Sequence, residues 1–156
     1  MNSAERLGTL LSSKCWTVAV AESCTGGLLA STITDVPGSS LYFLGGIIAY
    51  SNSTKTEILG VPTETMVKNG SVSDRTTVAM AIGAMNNFGC DFSIAISGIA
   101  GPSGGSEAKP IGTVFIAVAT EDGEQVKTFT FKGTRQEIKA RSVEAALGMA
   151  CEALVS

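Results

Sequence analysis

Apolar residues recur along this chain with two different periods, and the change from one to the other marks its elements. Trp16 to Ala21 is a short apolar run rich in β-branched residues, while Leu28, Leu29 and Ile33, beyond two glycines, recur at helical spacing. The stretch Trp16-Thr17-Val18-Ala19-Val20-Ala21-Glu22-Ser23-Cys24-Thr25-Gly26-Gly27 therefore reads as strand, tight turn and helix start. Ahead of it, Asn2 and Glu5 form a capping box before Leu7, Leu10 and Leu11, which predicts a first helix ending near Ser13. The helix after Gly27 stops before Pro37-Gly38, because the residue preceding a proline is pushed out of the α region. Gly45 to Asn52 reads as a second strand with Tyr50 and Ser51 at its carboxyl end. Ser53 to Gly60 follows as a short helix with Lys55 in its first turn.

Pro62 to Asn69 predicts another short helix. A longer one runs from Ser71 or Ser73 to near Gly89, with Val78, Ile82 and Met85 as its buried face. Asp91 to Ser97 is a third strand, apolar enough to be buried on both faces. Ile111 to Thr120 and Gln125 to Lys132 alternate around the Asp122-Gly123 turn signal and predict an antiparallel hairpin. Thr134 with Glu137 is a second capping box, opening a last helix that buries Ile138, Val143, Ala146, Leu147, Ala150 and Leu154. Helices separating strands in this order give an α/β fold. It should have a mixed, mostly parallel five-stranded sheet, helices on both faces and one antiparallel pairing from the hairpin. With the first three strands parallel, Ser23, Tyr50, Lys55 and the loop after Ser97 meet at their carboxyl ends, where open α/β sheets bind ligands.

Size and composition narrow the chemistry. At 156 residues and 44% hydrophobic, the chain suits one domain, 1–156, with a well-buried core. The net charge is -3 and the eleven basic residues are scattered, so direct nucleic-acid binding is not expected. Polar residues and glycines interrupt every apolar run, which argues against a membrane span and for a soluble, cytoplasmic protein. Cys15, Cys24, Cys90 and Cys151 lie far apart without a C-x-x-C pair, so neither a zinc cage nor a disulfide framework is expected. Three of them read as small core residues. The chain has no histidine, which removes the commonest general base, the commonest metal ligand and the Ser-His-Asp arrangement together.

What remains is Ser, Lys, Tyr, Cys and carboxylate chemistry. Ser23 and Thr25 either cap the helix or face the unpartnered N–H groups of its first turn, which suit a phosphate or a developing oxyanion. Lys55 at a helix start is disfavoured by the helix dipole, so it is either solvated or has a task. Gly98 to Pro110 carries four glycines and two prolines at a strand's carboxyl end, the composition of a functional loop, and no G-K-[ST] follows to make it a Walker A sequence. Arg135, Lys139 and Arg141 read as a solvated face.

Four stretches carry a resemblance: A-E-S-C-T-G-G at 21 to 27, A-Y-S-N-S-T-K at 49 to 55, S-G-I-A-G-P-S-G-G at 97 to 105 and K-P-I-G-T-V at 109 to 114. Together they resemble the C-terminal domain of the CinA competence/damage-inducible family, over essentially the whole chain. The resemblance implies a three-layer α/β/α sandwich that commonly forms a homodimer. It also implies a metal-independent, cofactor-free amidohydrolase that converts nicotinamide mononucleotide to nicotinic acid mononucleotide and ammonia. By the family pattern Ser23 is the nucleophile, Lys55 its partner, and Tyr50 lines the same site, where it is expected to act in catalysis by orienting Lys55 or relaying a proton to the departing ammonia. Binding of the nucleotide then falls to Thr25, Gly26 and Gly27 and to Gly98, Gly101, Gly104 and Gly105. The loop glycines supply uncharged N–H donors to the phosphate, with Lys109, Arg135 or Arg141 as helpers. Cys24 is the rival nucleophile, and Glu22 a hydrogen-bond acceptor behind the site. The alternative function is a non-catalytic nucleotide-binding or regulatory module.

Overall fold

A computed structural model describes residues 1–156. Strands β1 (Val18–Glu22), β2 (Phe43–Ile48), β3 (Phe92–Gly98), β4 (Thr113–Thr120) and β5 (Gly123–Thr130) form one sheet in the order β2-β1-β3-β4-β5. Helices α1 (Ser3–Lys14), α2 (Leu28–Thr34), α3 (Asn52–Glu57), α4 (Thr63–Asn69), α5 (Asp74–Phe88) and α6 (Arg135–Val155) surround it. Strands β2, β1 and β3 pair in parallel, whereas β4 is antiparallel to both β3 and β5. Four strands therefore run one way, and the sheet is mixed and mostly parallel. There are two antiparallel pairings rather than one. The link from β3 to β4 contains no helix, and a parallel return would need a crossover, so the chain turns back beside β3.

The buried strands sort side chains by size. Val18, Val20, Ile94, Ile96, Val114, Ile116 and Val118 join α1, α2 and α6 in one core, with Leu7, Leu11, Leu29, Ile138 and Leu147. The alternate positions Ala21, Ala95, Ala117 and Ala119 face the other way, onto α5. A side-chain period of two makes the two faces different, one for large aliphatic residues and one nearly flat. The flat face explains the phase of α5. Its buried residues are Thr76, Thr77, Met80, Ala81, Gly83 and Ala84, not the expected Val78, Ile82 and Met85, and Ile82 is exposed. Apart from Met80 these are small residues, which approach an alanine surface closely, so the helix turns them inward and leaves Val78, Ile82 and Met85 at the rim. On another side of α5, Gly83 lets the link between α3 and α4 come so close that a Cβ would lie 2.0 Å from the Leu59 carbonyl oxygen.

Both capping boxes, Asn2 with Glu5 and Thr134 with Glu137, are formed as expected. The second strand begins two residues earlier than its glycines suggested and ends at Ile48, so Tyr50 stands beyond it in the turn that leads to Ser51, the N-cap of α3. The fifth strand is likewise displaced, because Glu121 and Asp122 alone make the turn and Gly123 already pairs with Thr120. Cys24, Cys90 and Cys151 are buried and Cys15 is exposed. No helix is long and apolar enough to cross a membrane.

Candidate active site

Strand parity decides what meets at the end of β1. Glu22 shares the face of Val18 and Val20, so its side chain points towards α2 and is fully buried. Its carboxylate accepts four hydrogen bonds: from the Thr25 hydroxyl at 2.6 Å, from the N–H of Leu29 and of Ala30, each at 2.9 Å, and from the N–H of Gly27 at 3.2 Å. The negative group thus satisfies the first turn of α2 from behind. Two consequences follow for the expected binding positions. Thr25 is fully buried with its hydroxyl committed to Glu22, and the Gly27 N–H is committed there too. The Gly26 N–H donates to the Ser23 carbonyl at 3.1 Å. The donors left without a protein acceptor are the N–H groups of Cys24 and Thr25, just past Ser23.

Replacing Glu22 with Ala strands one buried hydroxyl and three N–H groups at once. Unfolding free energy should fall by about 3–5 kcal/mol, the usual result of removing one partner from a buried charged network. Urea denaturation of the two proteins checks this, and a loss under 1 kcal/mol would mean that water replaces the carboxylate.

Ser23 itself continues the sheet by one bond, its N–H donating to the Ile96 carbonyl at 3.0 Å, and it lines a cleft of about 250 Å³. The cleft lies over the carboxyl ends of β1 and β3, the switch point of the strand order, where this class of sheet opens a crevice. Cys24, Tyr50, Lys55, Gly98, Gly101 and Gly104 share it; Thr25, Gly26, Gly27 and Gly105 do not. Most of the expected site thus converges, while the start of α2 contributes backbone rather than lining. A second cleft of about 240 Å³ at the other end of the sheet offers Asp122 and Glu124 but no lysine or arginine.

Lys55 is 2% exposed, which settles the choice left by the sequence against a solvated lysine. Its Nζ donates to the Ser71 carbonyl at 3.1 Å, an oxygen that also accepts the Ser97 hydroxyl at 3.4 Å. No carboxylate neutralises it, since the protein's one ion pair joins Lys127 to Glu152 on the surface. Burial without a counter-charge disfavours the ammonium, so the amine's pKa is lowered from the ordinary 10.5. The cause is desolvation rather than a helix end, because α3 has six residues and Lys55 belongs to its last turn as well as its first. Burial acts oppositely on the neighbouring Cys24 thiol and pushes its pKa up to about 11, which keeps it protonated at neutral pH.

Arg135, the first residue of α6, is not on a solvated face. Its guanidinium donates to the Gly101 carbonyl and, at 2.9 Å, to the Tyr50 hydroxyl, so it ties the glycine loop to the turn after β2 across the mouth of the cleft. One helical turn on, Lys139 Nζ lies 3.8 Å from where a Cβ on Gly26 would be. Arg135 belongs with the site because helical spacing points both cations the same way, a signal present in the sequence but indistinguishable there from a solvated stripe. Lys109 is engaged elsewhere, its Nζ bonding the Asn69 and Val72 carbonyls. Arg141 does not line the cleft.

The geometry has counterparts of known structure. A CinA superfamily protein of Klebsiella pneumoniae superposes with a TM-score of 0.94 at 31% identity, covering 99% of each chain. The competence/damage inducible protein CihA of Agrobacterium tumefaciens gives 0.91 at 39% identity, covering 99% of this chain and 94% of its own. Among curated sequences, a CinA-like protein of Fervidobacterium nodosum is 52% identical over 140 residues, and one of Desulfotalea psychrophila 48% over 141. Each match covers 90% of this chain, which spans about a third of the length of those relatives, 34% in both. Residues 1–154 match the family model described as the CinA C-terminal domain, and the chain belongs to that family.

Proposed function

We propose that this protein is a metal-independent amidohydrolase that converts nicotinamide mononucleotide to nicotinic acid mononucleotide and ammonia. The observation that carries the proposal is a serine hydroxyl and a buried, unpaired lysine lining one cleft in a chain without histidine. Desolvation disfavours the Lys55 ammonium and so favours the neutral amine, the form that can act as base towards a serine nucleophile. In the reaction, Lys55 Nζ takes the proton of Ser23 Oγ as that oxygen attacks the carboxamide carbon. The resulting oxyanion accepts the N–H groups of Cys24 and Thr25, the two donors left free beside Ser23. The Lys55 ammonium returns its proton to the departing nitrogen, ammonia leaves, and water hydrolyses the ester at Ser23.

Arg135 and Lys139 supply cationic groups beside a cleft whose loop contributes backbone donors, a combination suited to the nucleotide's phosphate. Arg135→Ala should raise KM for nicotinamide mononucleotide by about ten-fold or more with a smaller change in kcat, since the lost interaction is the same in ground and transition states. Steady-state kinetics checks this, and an unchanged KM would move the phosphate elsewhere.

One observation favours a second reading, a nucleotide-binding module without turnover: Lys55 is hydrogen-bonded to Ser71 and not to Ser23. Catalysis then requires the amine to swing between the two oxygens. Ammonia release from nicotinamide mononucleotide, measured beside a Ser23→Ala control, separates the readings. Release that depends on Ser23 supports the hydrolase; binding of the nucleotide with no release above the control supports the module.

A further inference from the structure

Four consecutive backbone carbonyls, Asn69 to Val72, each accept a side-chain donor from elsewhere in the chain. Gly70 accepts the hydroxyls of Ser73, at 3.0 Å, and Thr76, at 2.7 Å. Ser71 accepts Lys55 and Ser97. Asn69, at 3.1 Å, and Val72 accept the Nζ of Lys109. The strap between α4 and α5 is thus gripped at both ends by one lysine, and the carbonyl between those ends holds the other. Lys109 is half-buried in a run of loop residues that are otherwise exposed from Pro102 to Pro110. Its own turn is closed by Ser106, whose hydroxyl accepts the Lys109 N–H at 3.0 Å and whose N–H donates to the Lys109 carbonyl at 2.9 Å. Its ammonium also stands 5.9 Å from the centre of the Phe115 ring, a cation–π contact that fixes it from the sheet side. Such a clamp exceeds what the stem of a surface lysine needs.

We propose that Lys109 is a positioning residue for Lys55, acting through the 69–72 strap: by holding the outer carbonyls it fixes where the Ser71 oxygen stands and how strongly that oxygen stabilises the Lys55 ammonium. The inference rests on the hydrolase reading for its effect on turnover, but not for its effect on Lys55. Carbonyl oxygens favour a charged amine, and a fixed positive charge on the strap offsets part of their pull. With Lys109 neutral or absent, the Asn69 and Val72 carbonyls lose their donor and the strap can close further around Lys55. The other titratable or charged groups facing this region are Cys24 on the β1–α2 turn, Tyr50 after β2 and Arg135 on α6, with Glu22 and Lys139 beyond Cys24, and on the two helices the strap joins, Glu64 and Lys68 of α4 and Asp74 and Arg75 of α5. None of them contacts the strap carbonyls.

The test compares the full chain with Lys109→Met, Lys109→Gln and Lys109→Arg. Lys55 is titrated by NMR of ¹³Cε-labelled lysine, and kcat and KM for nicotinamide mononucleotide are measured against pH. The Lys55 midpoint should rise by about half a unit or more in the Met variant and return towards the original in the Arg variant. At neutral pH kcat should fall about three-fold or more, in step with the neutral fraction of Lys55, with KM changed less than about two-fold. If the Met variant does not fold, the Gln variant carries the comparison. A Lys55 midpoint unchanged in whichever of these variants folds overturns the proposal, whatever happens to activity. A shifted midpoint in a protein that releases no ammonia leaves Lys109 in its role and removes the hydrolase reading instead.

Discussion

Ser23→Ala should abolish ammonia release from nicotinamide mononucleotide, lowering kcat by on the order of 10⁴-fold or more, while Cys24→Ala keeps it within about ten-fold. Removing an attacking oxygen leaves only binding and oxyanion stabilisation, and nucleophile deletions in serine hydrolases fall in this range. The contrast with Cys24 follows from protonation. A thiol pushed up to about 11 is a thiolate in only a minute fraction of molecules at pH 7, so its intrinsic nucleophilicity is not available. Both side chains are nearly buried, Ser23 at 7% and Cys24 at 7%, so access does not distinguish them. The Ala variants change little volume and leave the N–H groups of residues 24 and 25 in place. Equal loss in both variants, or a larger loss in Cys24→Ala, would assign the attack to the thiol.

The second large effect concerns Lys55→Met, and it runs in opposite directions for activity and stability. Methionine keeps much of the lysine's length and removes the base, so turnover should drop by on the order of 10³-fold. Stability should not drop with it, because a buried amine with one carbonyl partner and no counter-charge is an unfavourable occupant of that position. The pH dependence has a definite sign. The folded-state pKa of Lys55 lies below its unfolded value of 10.5, so above 10.5 the lysine is neutral in both states and carries no charge-burial penalty. As pH falls from 10.5 through the lowered folded value, the unfolded state binds a proton first and the native state loses stability relative to it. Below the folded value the whole penalty is present. Lys55→Met should therefore gain most over the unmodified protein at neutral and acid pH, and the two thermal midpoints should converge as pH approaches 10.5. The proposed mechanism makes the same ionisation govern turnover, so kcat/KM of the unmodified protein should rise with pH through the lowered Lys55 value. Unfolding scans across pH and rate profiles check the two halves independently; a destabilised Lys55→Met would indicate that the amine is needed for the fold.

The sequence by itself determined the succession of elements, the two capping boxes and the four motifs that place the chain in its family. Each depends on residues a few positions apart, where dihedral preference and local hydrogen bonding act without help from the rest of the molecule. It also carried the convergence of Ser23, Tyr50 and Lys55, because parallel strands joined by helices bring their carboxyl ends together. Tertiary structure decided the rest. The alanine face of the sheet chose which side of α5 turns inward, a matter of how closely two surfaces approach and not of hydrophobicity along one helix. The return of β4 beside β3 set a second antiparallel pairing that the hairpin alone did not require. Above all, the burial of Lys55 against the Ser71 carbonyl and the partnership of Arg135 with Tyr50 and Gly101 join groups separated by 16, 85 and 34 residues. Desolvation and long-range hydrogen bonds are properties of a packed interior, and no local pattern records which buried lysine will lack a counter-ion or which cation will turn towards a cleft.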